Sequence, residues 1–175
     1  DGLLAQSDVL VLNMVPRVQR KLGLDYDSLK AAYPALIHAS LTGFGLTGPR
    51  SDFPCYDLIA EGYAGIMDLT GELESAPQKV GTPAADLLAG QDLALAVLAA
   101  YIARGQHGRG TQIDISMQSS MTRFVSPRLL PYLGSGELPR RSGGKDSVIA
   151  IYQVFDTADD PLSLGLGNDR IWQRF

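Results

Sequence analysis

The residues best placed for chemistry are acidic. Asp86 follows Pro83 at the start of a long apolar stretch, residues 80–103, VGTPAADLLAGQDLALAVLAAYIA. Proline is favoured in a first helical turn, so the spacing predicts a helix with Asp86 beside free backbone N–H groups and the positive end of the helix dipole. Such a carboxylate could serve a reaction. From spacing alone, the commoner role for such a residue is only to complement the dipole.

A second pair of carboxylates, Asp57 and Glu61, lies in a predicted helix over residues 56–70. Residues four apart share one face of a helix, and two such carboxylates can do acid–base work. Exposed like charges on a helix surface are the commoner meaning of this pattern.

Arg17, Arg20 and Lys21 form the densest positive cluster in the first half of the chain. They could grip a phosphate-bearing ligand. The alternative, and by count the commoner one, is a solvated surface.

Alternating strands and helices must position these groups. The runs 8–14 and 36–42 predict buried parallel strands, with a helix over 25–33 between them, and 111–117 predicts a further strand. The helix that carries Asp86 is apolar on nearly every side, which predicts burial all round and an end near residues 104–105. Gly90, Gln91 and Asp92 interrupt it, so we do not expect a membrane span. A helix over 119–133 is weakened by two prolines.

The segment Gly43–Gly48, GFGLTG, spells Gly-x-Gly-x-x-Gly after the second predicted strand. A dinucleotide fingerprint must open directly into a helix, whose N–H groups then bind pyrophosphate. Pro49 and Pro54 instead predict a loop. We therefore interpret the segment as a glycine-rich turn and expect no NAD site.

Composition narrows the class of protein. The chain has 175 residues, 45% hydrophobic and 19% charged, with a net charge of −4, which is typical of a globular protein and not of a nucleic-acid-binding or membrane-surface protein. Cys55 is the single cysteine, and His38 and His107 belong to no ligand-spaced motif, so we expect no metal site. No signal peptide is visible, and we expect a cytoplasmic location. From the patterns at its two ends, we expect the sequence to be an internal segment of a longer protein.

The glycine-rich and basic segment 137–147 is the expected linker between two regions. Residues 1–136 would form part of a large Rossmann-like α/β domain. Residues 148–175 would begin a smaller α+β domain, in which 148–155 and 162–167 predict a β-hairpin.

Four ordered blocks resemble one family. They are VLVLNMVPRVQRKLGLDYDSLKAAYPALIHASLTGFGLTGP, YDLIAEGYAG, the Asp86 helix and RGQHGRGTQIDISMQSS. Together they resemble the family III CoA-transferases (the CaiB/BaiF type), a group that includes formyl-CoA transferase, carnitine CoA-transferase and the α-methylacyl-CoA racemases. The resemblance implies a Rossmann-like large domain, a small domain and an interlocked homodimer. Acyl-CoA and a small carboxylic acid would be the substrates, with no metal or NAD.

The resemblance also implies a role for Asp86, which falls where the transferases keep a catalytic aspartate. Its carboxylate would attack an acyl-CoA thioester and pass through anhydride and aspartyl-CoA thioester intermediates. The racemases pair this aspartate with a histidine about thirty residues earlier. Tyr56 occupies that position here, which favours a transferase over a racemase. A catalytically inactive, truncated copy is the remaining alternative.

For coenzyme A itself, the resemblance implies four contact residues: Asn13, Met14, Lys21 and Tyr56. Lys21 stands where the family has an arginine, which keeps the charge and loses the bidentate fork. A glycine loop that covers the aspartate in some transferases would correspond to Gly143 and Gly144, although the family's longer glycine run is absent.

Overall fold

A three-stranded parallel sheet forms the centre of the fold in the computed structural model, which describes residues 2–175. The strands are β1 (Val9–Leu12), β2 (Ile37–Thr42) and β3 (Gln112–Ser116), in the order β1-β2-β3. Ser40 of β2 pairs with Leu12 on one side and with Asp114 on the other. The predicted parallel α/β arrangement is confirmed, with each strand one to three residues shorter than predicted.

Eight helices and one short 3-10 turn (Leu4–Gln6) surround this sheet or follow it among the described residues. In chain order they are α1 (Pro16–Leu22), α2 (Tyr26–Leu29), α3 (Asp57–Ala64), α4 (Ile66–Leu69), α5 (Ala84–His107), α6 (Met117–Phe124), α7 (Ser126–Ser135) and α8 (Asp169–Trp172).

Three helix predictions need correction. The single helix predicted over 56–70 is two helices, because Gly65 adopts a left-handed conformation (φ 82°) that ends α3 before α4 begins. The helix predicted over 119–133 is also two, α6 and α7, which meet at Val125. Pro127 falls in the first turn of α7, where a missing N–H is tolerated. The helix predicted over 25–33 has only four residues.

Helix α5 packs along the sheet and against α3 and α6. Its buried residues in this core are Ala84, Ala85, Ala89 and Leu93. The prediction of burial all round is wrong, because the sheet and its helices cover one face of α5 only. Leu95 and Ile102, each 66% exposed, lie on the other face. By length and composition alone α5 could cross a membrane, but the core helix of a soluble protein passes the same test.

Residues after α7 form the predicted hairpin. Strands β4 (Tyr152–Phe155) and β5 (Leu162–Gly165) pair in antiparallel fashion. The segment before them is tied back to the α4 region, since Arg141 binds the Asp68 carboxylate at 2.7 Å and the Gly143 N–H donates to the Gly71 carbonyl at 3.0 Å. The division into domains at 137–147 stays a prediction.

Candidate active site

The entrance to α5 is held by two acids of α3. The N-cap of α5 is Pro83, whose side chain makes no capping bond. Asp57 takes that role from outside the helix, because its Oδ1 accepts the N–H of Ala85 at 2.8 Å. Glu61 Oε2 accepts the N–H of Val80 at 2.9 Å. Ala85 directly precedes Asp86. These bonds from α3 therefore fix the position of the first turn of α5, which carries Asp86.

Glu61 differs from expectation in its burial. Its side chain is fully buried, so the prediction of an exposed pair of like charges is wrong for Glu61. Burial raises the pKa of Glu61 above its usual value, and the charge of Asp57 acts in the same direction. Asp57 itself is half-buried.

Asp86 lies at the mouth of a cavity of about 380 Å³. The cavity opens where the carboxyl ends of β1 and β2 meet the start of α5 and α6, the usual position of ligand sites in open α/β sheets. The residues that line it are Asn13, Val15, Leu41, Thr42, Gly43, Phe53, Pro54, Cys55, Tyr56, Asp86 and Met117.

The electrostatics of the cavity favour a reactive carboxylate and an unreactive thiol. Partial burial, with the nearby charge of Asp57, raises the pKa of Asp86. The Asp86 carboxylate is therefore more basic than that of an ordinary aspartate. The residue as a whole is nevertheless exposed to solvent. Burial also raises the pKa of the Cys55 thiol, and the charge of Asp86 adds to this effect. Since the thiolate is the nucleophilic form, the raised pKa lowers the reactivity of Cys55 at a given pH.

The glycine-rich turn reaches this cavity through Gly43. Thr42 Oγ1 accepts the N–H of Gly45, and Asp114 Oδ2 accepts the N–H of Leu46, both at 2.9 Å. Gly45 has φ +88°, which a residue with a Cβ rarely adopts. The next helix begins only at Asp57, so the prediction of a turn that does not open into a helix is confirmed.

The structure brings together three of the residues predicted to handle coenzyme A or its acyl group, namely Asn13, Tyr56 and Asp86. Tyr56 is 82% exposed at the cavity rim. Met14 is half-buried beside Asn13, does not line the cavity, and its carbonyl accepts a hydrogen bond from Gln19 at 2.8 Å. Lys21 is exposed on α1, outside the cavity lining.

Gly143 and Gly144 lie in a different place. They line a cavity beside the hairpin, together with Tyr152 of β4 and Ser163 of β5. A Cβ at Gly143 would meet the Glu72 carboxylate at 2.3 Å, so the glycine permits close packing there. Their suggested role over Asp86 stays a prediction.

Neither histidine lines the cavity. His38 is buried in β2, where its Nε2 contacts the Leu24 carbonyl at 2.7 Å. His107 is the last residue of α5, at the opposite end from Asp86.

Two features of the site escaped sequence analysis. One is the burial of Glu61, for which the i, i+4 spacing from Asp57 was the available signal. The other is the close approach of Gly43 to Cys55, where a Cβ on Gly43 would lie 2.0 Å from the Cys55 Cβ. The Gly-x-Gly pattern marked the turn without indicating which residue packs against it.

Comparison with known proteins defines the class. The family model described as CoA-transferase family III matches residues 1–175, and the chain belongs to that family. A crystal structure of a CAIB/BAIF family protein from Brucella suis superimposes with a TM-score of 0.86 at 39% identity, covering 98% of this chain and 46% of that one.

Curated relatives narrow the comparison. The chain is 38% identical over 172 residues to a succinate–glutarate CoA-transferase of Agrobacterium fabrum, covering 98% of this chain and 43% of the relative. It is 35% identical over 172 residues to an acetyl-CoA:oxalate CoA-transferase of Acetobacter aceti, covering 98% of this chain and 44% of the relative. The chain thus spans less than half the length of these relatives.

Proposed function

We propose that the protein transfers CoA from an acyl-CoA donor to a carboxylic acid acceptor, with Asp86 as the nucleophile. The observation that carries the proposal is the position of Asp86. Among the described residues 2–175, it is the one carboxylate that lines the cavity bordered by Asn13 and Tyr56. It stands in the first turn of α5, where backbone N–H groups and the helix dipole support negative charge.

The proposed chemistry uses the Asp86 carboxylate and the two substrates. The Asp86 carboxylate attacks the thioester carbonyl of acyl-CoA, the C–S bond breaks, and a mixed anhydride forms with release of the CoA thiolate. The thiolate attacks the Asp86 carbonyl, which expels the donor acid as a carboxylate and leaves an aspartyl-CoA thioester. The acceptor carboxylate attacks this thioester, giving a second anhydride and the thiolate. Attack of the thiolate on the acceptor acyl carbon gives the new acyl-CoA and restores Asp86.

Asn13 and Tyr56 are proposed to border the bound acyl-CoA, since both line the same cavity as Asp86. Lys21 would bind a CoA phosphate through its positive charge, without the bidentate geometry of an arginine. We also propose that the protein works as a homodimer.

The names of several relatives support dicarboxylic acids as substrates. They include succinate, glutarate, oxalate and mesaconate. The test is incubation of the full-length protein with acetyl-CoA or succinyl-CoA and a panel of these acids, with separation of CoA esters by chromatography and mass spectrometry. We expect a new CoA thioester with at least one acid and none with D86N. Transfer by D86N at the wild-type rate would contradict the proposal.

The racemase alternative requires a second proton-transfer group opposite Asp86. Tyr56 stands where the racemases have histidine, and neither histidine of the chain lines the cavity. Exchange of the α-proton of a 2-methylacyl-CoA in deuterated water, without exchange of CoA between acids, would favour the racemase.

A further inference from the structure

The buried carboxyl of Glu61 has an unusual environment. Its Oε2 accepts the Val80 N–H, whereas Oε1 is buried without a hydrogen-bond partner within residues 2–175. A buried carboxylate oxygen that lacks a donor is costly, because it has given up its hydration without replacement. The ionised form of Glu61 is therefore poorly satisfied at this position.

A candidate partner for the free oxygen is itself an acid. Asp57 lies one helical turn earlier on the same face of α3, and both its charge and a hydrogen bond to it raise the pKa of Glu61. Two carboxylates so close cannot both ionise cheaply. A neutral Glu61 resolves the conflict, because its O–H can donate to the Asp57 carboxylate while the other oxygen keeps the Val80 N–H.

We propose that Glu61 acts as a neutral carboxylic acid that donates a hydrogen bond to Asp57, and that this pair positions Asp86 through the N–H of Ala85. The inference rests on the proposed role of Asp86. Asp57 and Glu61 are positioning residues, since neither lines the cavity.

The charged groups around Glu61 are consistent with a retained proton. Burial is the main cause of its raised pKa, and the charge and hydrogen bond of Asp57 add to it. The Val80 N–H bond and, more weakly, the charge of Lys79 lower the pKa of Glu61, and burial outweighs them. The one ionisable side chain of α6, Arg123, pairs with Asp92 of α5 at 2.8 Å. On α4, Asp68 pairs with Arg141.

The pair links pH to the geometry of Asp86. If Glu61 loses its proton, two negative charges face each other on α3, and Asp57 is pushed from the Ala85 N–H. Misplacement of a reacting group by about 1 Å can lower a rate by about 100-fold. Activity should therefore fall on the alkaline side as Glu61 ionises.

Glutamine reproduces the neutral acid, because its carbonyl can accept from Val80 and its NH₂ can donate to Asp57. We expect E61Q to keep kcat/KM within about twofold of wild type at neutral pH and to lose the alkaline fall, since Gln cannot ionise. E61A, which removes both bonds, should lose about tenfold to 100-fold. The control is E74Q, the same change at an exposed glutamate, which should retain the alkaline fall. An E61Q enzyme as impaired as E61A, or one that keeps the alkaline fall, would overturn the proposal.

A readout without substrate separates this inference from the proposed function. Infrared spectra of the full-length protein at neutral pH should contain a protonated-carboxyl band that E61Q lacks and E74Q keeps. The folded-state pKa of Glu61 is raised, so its stabilising effect is fully present below the unfolded-state pKa and is lost as pH rises through the folded-state value. The melting temperature of wild type relative to E61Q should therefore fall with rising pH. If the spectra and melting temperatures behave in this way but the protein transfers no CoA, the proposed function is refuted and the acid pair stands. Identical infrared spectra of wild type and E61Q, together with a difference in melting temperature that does not change with pH, would refute the acid pair.

Discussion

Substitution of Gly43 by alanine tests how tightly the turn and the cavity wall are packed. A Cβ at Gly43 would lie 2.0 Å from the Cys55 Cβ and 2.8 Å from its Sγ, so the two segments must separate. Overpacking of this kind costs about 1–3 kcal/mol. We expect G43A to lower the urea midpoint of the full-length protein by a corresponding amount at unchanged m.

We expect the displacement to extend to the candidate active site. Cys55 is followed directly by Tyr56 and Asp57, and Asp57 holds the N–H of Ala85 at 2.8 Å. Displacement of Cys55 therefore shifts the group that fixes the start of α5. CoA transfer by G43A should fall even under conditions where the variant stays folded, as monitored by circular dichroism.

Two second-site variants separate this steric cause from others. C55G removes the clashing Cβ and leaves the Cys55 Cα at 3.5 Å, an ordinary contact, whereas C55A keeps the Cβ. In double-mutant cycles, G43A/C55G should show a favourable coupling of about 0.5–3 kcal/mol, and G43A/C55A a much smaller one. Equal rescue by both, or a neutral G43A, would refute the reasoning.

Three further predictions concern the site and its support. D86N should speed alkylation of Cys55 by iodoacetamide at fixed pH, because loss of the Asp86 charge lowers the thiol pKa; an unchanged rate would contradict their proximity. In the proposed mechanism Asp86 attacks in its ionised form, so transfer should be lost as pH falls through its pKa. D57N removes one cause of the raised pKa of Asp86 and should move this acid limb of kcat/KM to lower pH, and an unmoved limb would count against the coupling. M121A should destabilise the protein by about 2–5 kcal/mol in urea unfolding, because Met121 is fully buried between α3 and α5; a loss below 1 kcal/mol would show that its core contacts matter little.

Local patterns in the sequence were enough to predict the sheet and the position of Asp86. The strands are short apolar runs bounded by polar residues, and Pro83 marks the start of α5 through a property of its own ring. The break between α3 and α4 was missed because Gly62 and Gly65 look alike in sequence. Only Gly65 adopts the left-handed conformation that ends a helix.

Features that depend on distant parts of the chain could not be predicted. Glu61 is buried because the segment at Val80 returns to it from 19 residues later. The Gly43–Cys55 contact depends on the path of the loop between them. The exposed outer face of α5 was missed for a related reason, since an apolar helix composition does not reveal how many sides are covered.

The most direct test of the central claim is chemical trapping at Asp86. The full-length protein is incubated with acyl-CoA, treated with hydroxylamine, digested and mapped by mass spectrometry, with D86A as control. An acyl-aspartate route predicts a hydroxamate mass on Asp86 that is absent from D86A. An unmodified Asp86 in a folded protein that binds and transfers CoA would contradict covalent catalysis by this residue.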